Sequence, residues 1–313
     1  MQKVVTVTLN PCFDVTLAVD SLRPEAVARV AEERVQAAGK GVNVGKVLRS
    51  FKTPVLMAGF GGSGNLSRYL SLLGADAGEL CFLPLPGSIR ENLTVIAGRD
   101  TYKINRPGFR ADRGAFGRLE KAVLEQVLPG DIVAVCGSLP MGIEPLWVAD
   151  FLKALGESGC KTALDCDYMT KELLSLCRPW LMKPNLPELE RLVGRRLSED
   201  EAVRAAGREL CALGVGVVLA SLGEKGILAI TEAEDILVPA PHVEVESTVG
   251  AGDAALAGFL EAFLSGDSLR DCAEWAAACG SDTVTRPGTG LAAKSSAQRL
   301  LDQIRDNWRR VQD

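Results

Sequence analysis

The run E-S-T-V-G-A-G-D-A-A-L-A-G-F-L, residues 246–260, sets Asp253 directly behind G-A-G and at the mouth of an apolar stretch. A glycine-rich turn entering a helix presents unpaired backbone N–H groups, and the helix dipole adds partial positive charge. An anion can sit on such a turn, formed here by Gly250, Ala251 and Gly252, with Asp253 beside it to accept a proton from an attacking hydroxyl. The plainer reading is that an aspartate in a first helical turn only caps it. The single histidine, His242, lies between Pro241 and Val243 and reads as structural. Ser-His-Asp and Cys-His triads and His-rich zinc sites are thereby excluded, so acid–base work falls to carboxylates, lysines or cysteines.

Four other stretches carry chemistry. In A-A-G-K-G-V-N-V-G (37–45), Gly39 and Gly41 flank Lys40, and Asn43 falls in the first turn of the next helix. Amides, an ammonium and a side-chain amide then converge on one helix N-terminus, suited to a polyhydroxylated or phosphorylated ligand. L-M-K-P-N-L-P-E (181–188) puts Lys183, Asn185 and Glu188 at a sheet's edge. An amide and a carboxylate three apart share a helical face and suit Mg²⁺, which keeps its waters and takes few protein ligands; a simple helix entry is the alternative. S-L-G-E-K-G (221–226) reads as a turn between two strands. G-F-G-G-S-G (59–64) matches the dinucleotide fingerprint, but Asp76 comes too early to take a ribose, so a tight strand-to-helix loop is expected. A nicotinamide-dependent oxidoreductase rests on little else.

These stretches need a scaffold. The 313 residues suffice for one large α/β domain, and a net charge of −5 argues against a nucleic-acid or anionic-membrane partner. The nine cysteines are scattered without C-x-x-C, as in a reducing cytosol, and the N-terminus lacks a signal peptide's regions, so a cytoplasmic protein is expected. Strands are predicted at 4–9, 55–58, 132–135, 162–164, 215–220 and 226–230. Helices are predicted at 42–50, 66–73, 113–127, 145–155, 201–213, 254–264 and 268–283. This alternation predicts a layered α/β sheet. Residues 14–37 and 81–106 read as strands without helices and predict either a small sheet serving as a lid or extra edge strands. An exposed apolar edge there would let two chains pair as a homodimer.

Taken in order, T-L-N-P-C-F-D (8–14), A-G-K-G-V-N-V (38–44), I-R-E-N (89–92), I-N-R-P-G (104–108), G-S-L-P-M-G (137–142), K-P-N-L-P-E (183–188), S-L-G-E-K-G and S-T-V-G-A-G-D (247–253) resemble the phosphofructokinase-B branch of the ribokinase-like sugar kinases. The resemblance spans nearly the whole chain. It implies a single ribokinase-like domain over 1–313: a Rossmann-like three-layer α/β sandwich with a small β-sheet lid. It implies ATP and Mg²⁺ as co-substrates and a ketohexose phosphate as acceptor. The expected reaction is fructose 1-phosphate to fructose 1,6-bisphosphate, with tagatose 6-phosphate and fructose 6-phosphate as alternative acceptors. By this resemblance Asp253 is the base and Gly250, Ala251 and Gly252 supply the anion hole. Asp14, Gly39, Lys40 and Asn43 hold sugar hydroxyls, while Arg90 and Lys103 take the phosphate. Asn185 and Glu188 place Mg²⁺ through water, with Lys183 by the nucleotide phosphates and Ser221, Gly223 and Gly226 bordering the nucleotide. Two departures bear on the acceptor: Ala38 replaces a usual glycine and would narrow the sugar's approach, and Arg106 replaces a usual acid near the phosphate.

Overall fold

The structure is a computed structural model that describes residues 2–312 other than 287 and 289. Its strands are β1 (Val4–Thr8), β2 (Cys12–Val19), β3 (Val30–Ala38), β4 (Val55–Gly62), β5 (Leu80–Leu85), β6 (Arg90–Ala97), β7 (Asp100–Asn105), β8 (Ile132–Cys136), β9 (Lys161–Asp165), β10 (Leu181–Met182), β11 (Val217–Ser221), β12 (Ile227–Ile230) and β13 (Asp235–Val238). Its helices are α1 (Lys40–Ser50), α2 (Leu66–Leu73), α3 (Arg113–Leu124), α4 (Pro145–Glu157), α5 (Lys171–Cys177), α6 (Leu186–Val193), α7 (Asp200–Ala212), α8 (Ala251–Leu264), α9 (Leu269–Val284) and α10 (Lys294–Gln312).

Runs such as Val4–Val7, where even Thr6 is buried, and the apolar Ile132–Val135 show no face to water, so both faces must be covered. Nine strands accordingly form one sheet in the order β13-β12-β11-β10-β9-β8-β1-β4-β5, parallel from β11 to β5 with an antiparallel β12 and β13 at one edge. Successive side chains alternate between two cores. Val5, Val7, Val133 and Val135 pack under α2 to α7, whereas Val4, Ile132 and Ala134 pack under α1, α8, α9 and α10. The result is a three-layer sandwich. Helix α8 is apolar on nearly every side because it lies between the sheet and α9. Gly258 permits that approach: a Cβ there would come within 2.8 Å of Cys279 Sγ.

A second sheet, in the order β3-β2-β6-β7, stands apart from the first. Residues 81–85, expected in this small sheet, instead form the edge of the main sheet as β5, paired parallel to β4. Pro84 there has no N–H to donate, which an edge strand tolerates. The segment 59–64, expected as a tight strand-to-helix loop, instead continues β4 through Gly62, and only Ser63–Asn65 turn into α2. Its glycines lie close against the following segment: a Cβ on Gly62 would sit 2.4 Å from the Ser88 backbone, and Gly64 N–H donates to Gly87 C=O. Most of the glycine run is therefore paired strand rather than a loop opening a helix, which removes the basis of the oxidoreductase reading.

All nine cysteines are free, and all but the half-buried Cys81 are buried. Among the described residues no helix is long and apolar enough to cross a membrane.

Candidate active site

The strands β1, β8, β9, β10 and β11 end on one side of the main sheet, and their C-terminal ends floor a cleft of about 970 Å³ roofed by the small sheet. Open parallel sheets bind ligands at this location, beyond the carboxyl ends of strands that run to opposite neighbours. A second pocket of about 820 Å³ adjoins it, sharing Asn185, Ser221 and Gly252 and continuing over Ala240, Val243 and Ala277. All of the site residues expected from sequence line one of these two spaces. Asp14, Gly39, Lys40, Asn43, Arg90, Lys103, Lys183, Asn185, Glu188, Ser221, Gly250, Gly252 and Asp253 line the cleft, and Gly223, Gly226 and Ala251 line the second pocket. His242 is exposed at the rim of the second pocket.

Two helix N-termini meet in the cleft. Gly41 and Gly45 lie on the stripe of α1 that faces the sheet, and side chains there would clash: a Cβ on Gly41 would be 2.5 Å from Thr8 Oγ1, and one on Gly45 2.5 Å from Met57 Cγ. The glycines bring α1 down onto β1 and β4, which leaves Lys40 and Asn43 in the cleft. Beside it, α8 begins behind Gly250, whose φ of 80° is the left-handed conformation that glycine adopts without strain. No side chain caps this helix. Its first amides therefore remain available to a ligand, as helix geometry dictates.

Asp253 is the third residue of α8, only 7% exposed, and its Oδ2 accepts a hydrogen bond of 2.8 Å from Asn43 Nδ2. Burial, and then repulsion from Asp165, push its carboxyl up to about 7. The Asn43 bond and the charges of Lys183 and Lys40 pull the other way without winning. The buried Asp165, at the end of β9, accepts from Lys40 Nζ at 2.7 Å and pairs with Lys183 Nζ at 3.0 Å. Burial opposes its charge, but the two lysines outweigh burial and hold its carboxyl below the usual range. Burial likewise opposes the Lys40 charge, and Asp165 with Glu188 at 3.7 Å overcomes it and raises the ammonium's pKa. Lys40 thus turns its ammonium to two carboxylates while still lining the cleft. Lys183 is almost fully buried, and a Cβ on Gly252 would lie 3.0 Å from its Nζ, so its charge stands against the first turn of α8.

Asn185 and Glu188 form a reciprocal capping box at the start of α6: Glu188 N–H donates to Asn185 Oδ1 and Asn185 N–H to Glu188 Oε2, both at 2.9 Å. Glu188 Oε1 faces Lys40 and the cleft. Among the described residues no group of three or more His, Cys, Asp or Glu side chains converges closely enough to hold a metal directly. One carboxylate oxygen and one amide at the cleft wall fit an ion bound mainly through its waters.

On the small sheet, Cys12, Asp14 and Thr16 of β2 and Asn92 and Thr94 of β6 face the cleft, with Asp14 opposite Asn92. Arg90 donates to Arg106 C=O at 3.1 Å and to Ser138 Oγ at 3.4 Å, and Lys103 stands exposed on β7. The two sequence departures lie outside the cleft lining. Ala38 is 1% exposed, packed inside with its C=O accepting from Tyr69 O–H at 2.7 Å, so its methyl does not narrow the cleft. Arg106 pairs with Glu91 at 3.0 Å.

Sequence reasoning gave no role to Asp165, Asn10, Asn92, Ser138 or Cys12, all of which line the cleft. For Asp165 a signal existed: T-A-L-D ends an apolar strand on a carboxylate at the ligand-binding edge. Its two lysine partners, from distant segments, could not be read from the chain.

Residues 1–296 match the pfkB family carbohydrate kinase pattern. The chain is 33% identical over 307 residues to a 1-phosphofructokinase of Haemophilus influenzae, covering 97% of this chain and 98% of that one. It is 31% identical over 305 residues to a D-tagatose-1-phosphate kinase of Klebsiella oxytoca, covering 96% and 97%. The fold is similar to the crystal structure of phosphofructokinase-2 from Escherichia coli in complex with substrates and products, with a TM-score of 0.88, 27% identity, and coverage of 97% and 99%. The chain that forms this cleft, with its buried aspartate beside two helix N-termini, thus belongs to the pfkB family of carbohydrate kinases.

Proposed function

We propose that this protein transfers the terminal phosphoryl group of ATP to the free primary hydroxyl of fructose 1-phosphate, giving fructose 1,6-bisphosphate. The observation that carries this reading is the buried Asp253, held by Asn43 at the uncapped N-terminus of α8, where a polar cleft meets a largely apolar pocket. The acceptor is taken from the full-length similarity to a 1-phosphofructokinase. The Klebsiella relative's name makes tagatose 1-phosphate the second candidate.

In this reading the apolar pocket takes the nucleotide base, bordered by Ser221, Gly223 and Gly226, and the polar cleft takes the sugar. Asp14, Gly39 and Asn43 receive sugar hydroxyls, and Arg90 and Lys103 receive the acceptor's phosphate. Asp253 accepts the hydroxyl proton as phosphoryl transfer proceeds. The amides of Gly250, Ala251 and Gly252 and the charge of Lys183 stabilise the phosphoryl oxygens, while Asp165 fixes Lys183 and Lys40. Asn185 and Glu188 would hold Mg²⁺ through water, and that ion would neutralise phosphate charge. The small sheet would act as a lid, and its exposed Val30, Tyr102 and Ile104 on the outer strands would pair two chains.

An assay of ADP release over fructose 1-phosphate, tagatose 1-phosphate, fructose 6-phosphate, tagatose 6-phosphate and free fructose tests the reading. The highest kcat/KM is expected with fructose 1-phosphate. Activity confined to free sugars would sink it.

A further inference from the structure

The thiol of Cys12 bonds two cleft groups, Asp14 and Asn92, and has no part in the mechanism above. Cys12 and Asp14 stand two apart on β2 and so share the cleft face, and Asp14 lies opposite Asn92 of β6 in register. Cys12 Sγ donates to Asp14 Oδ1 at 3.4 Å. Asn92 Nδ2 donates to Cys12 Sγ at 3.2 Å and to the same Asp14 Oδ1 at 3.4 Å. The amide's orientation follows from charge, because turning Asn92 over would put its oxygen against the carboxylate. Both bonds land on Oδ1, which leaves Oδ2 for a ligand hydroxyl.

We infer that Cys12 is a positioning residue for the acceptor: its S–H, with Asn92, locks the Asp14 carboxylate so that Oδ2 faces a sugar hydroxyl. The inference rests on the sugar-phosphate reading above. Burial, and then the Asp14 charge, push the Cys12 thiol well up from its ordinary value, so the sulfur keeps its proton and remains a donor. Burial also raises the Asp14 carboxyl, against the opposing pull of the Cys12 and Asn92 bonds. Serine offers the same donor at nearly the same reach, whereas alanine removes it and leaves Asp14 free to turn. A residue that merely filled space would behave in the opposite way, tolerating alanine and serine alike.

Steady-state kinetics on the full chain test this, with fructose 1-phosphate and ATP varied separately and thermal unfolding run alongside. For Cys12→Ala the KM for fructose 1-phosphate should rise about five- to tenfold, the effect of one lost hydrogen bond to a charged group. The KM for ATP should stay put and kcat should change less than about threefold, since the bond serves binding rather than the transition state. Cys12→Ser should return the acceptor KM to within about twofold of the starting protein. An unchanged acceptor KM in Cys12→Ala, or a Cys12→Ser as impaired as the alanine variant, would overturn the inference. Should Cys12→Ala fail to fold, Asn92→Ala removes the second bond to the same oxygen and must show the same selective rise. Absence of turnover in the unaltered protein would instead strike at the sugar-phosphate reading.

Discussion

At the scale of single residues the account turns on why a carboxylate is buried where nothing fully neutralises it. Asp253 has one hydrogen-bond donor, Asn43, and shares the lysines' field with Asp165, which takes most of it. A carboxyl held near 7 is stable in its protonated form, so its contribution to folding is fully present below the unfolded-chain value. That contribution is lost as pH rises through about 7. Asp253→Asn keeps an acceptor for Asn43 and removes the charge. Its melting temperature relative to the unaltered protein should therefore be higher by on the order of several degrees at pH 8.5 than at pH 5. An equal difference at both pH values would mean that the carboxyl is not raised. The proposed role as base has the opposite preference, because a base must be ionised, and kcat should fall as pH drops below about 7.

At the scale of elements, helix termini carry the site, and how well each could be read from sequence follows from its physics. G-K-G-V-N-V-G and T-V-G-A-G-D were legible because glycine is required there for close approach or for a positive φ, and because long apolar helices follow. Helix α8 nonetheless starts at Ala251 rather than 254, since the glycine turn is already helical beyond Gly250. The entry of α6 was legible in K-P-N-L-P-E, but its extent and the seven-residue α5 were not, since α5 holds barely two turns and Pro187 obscures the periodicity of α6. Helix α10, with apolar residues at Ala297, Leu301 and Ile304 on one face, has the period of an amphipathic helix that the sequence reading did not reach. The start of α6 offers a separation of fold from function. Glu188→Gln preserves a capping box, since glutamine serves at that position. The melting temperature should move by no more than about 2 °C, while the Mg²⁺ needed for half-maximal rate should rise by at least about tenfold. An unchanged Mg²⁺ requirement would remove Glu188 from the proposed metal site.

At the scale of the whole molecule, the main sheet and its two helical layers form a rigid floor, and the small sheet brings Asp14, Arg90, Asn92 and Lys103 over it. Composition and alternation were enough to anticipate the layered architecture. They did not anticipate that β5 leaves the small sheet, because no α-helix separates Leu80–Leu85 from β6 and β7 to mark a change of sheet. If the small sheet closes over the acceptor, saturating fructose 1-phosphate should slow amide hydrogen exchange in β6 and β7 and leave α8 and α9 unchanged. Equal exchange with and without acceptor would contradict a lid.

The central claim is that Asp253 is the base in a transfer from ATP to fructose 1-phosphate. Its most direct measurement is ³¹P NMR of ATP and fructose 1-phosphate with Mg²⁺, incubated with the unaltered protein and with Asp253→Asn side by side. The account predicts ADP and fructose 1,6-bisphosphate in equal amounts from the first, and from the second a rate lower by about 10²- to 10⁴-fold with ATP binding retained. Fructose 1,6-bisphosphate formed by the variant at a near-normal rate, or ADP formed without it by the unaltered protein, would contradict it.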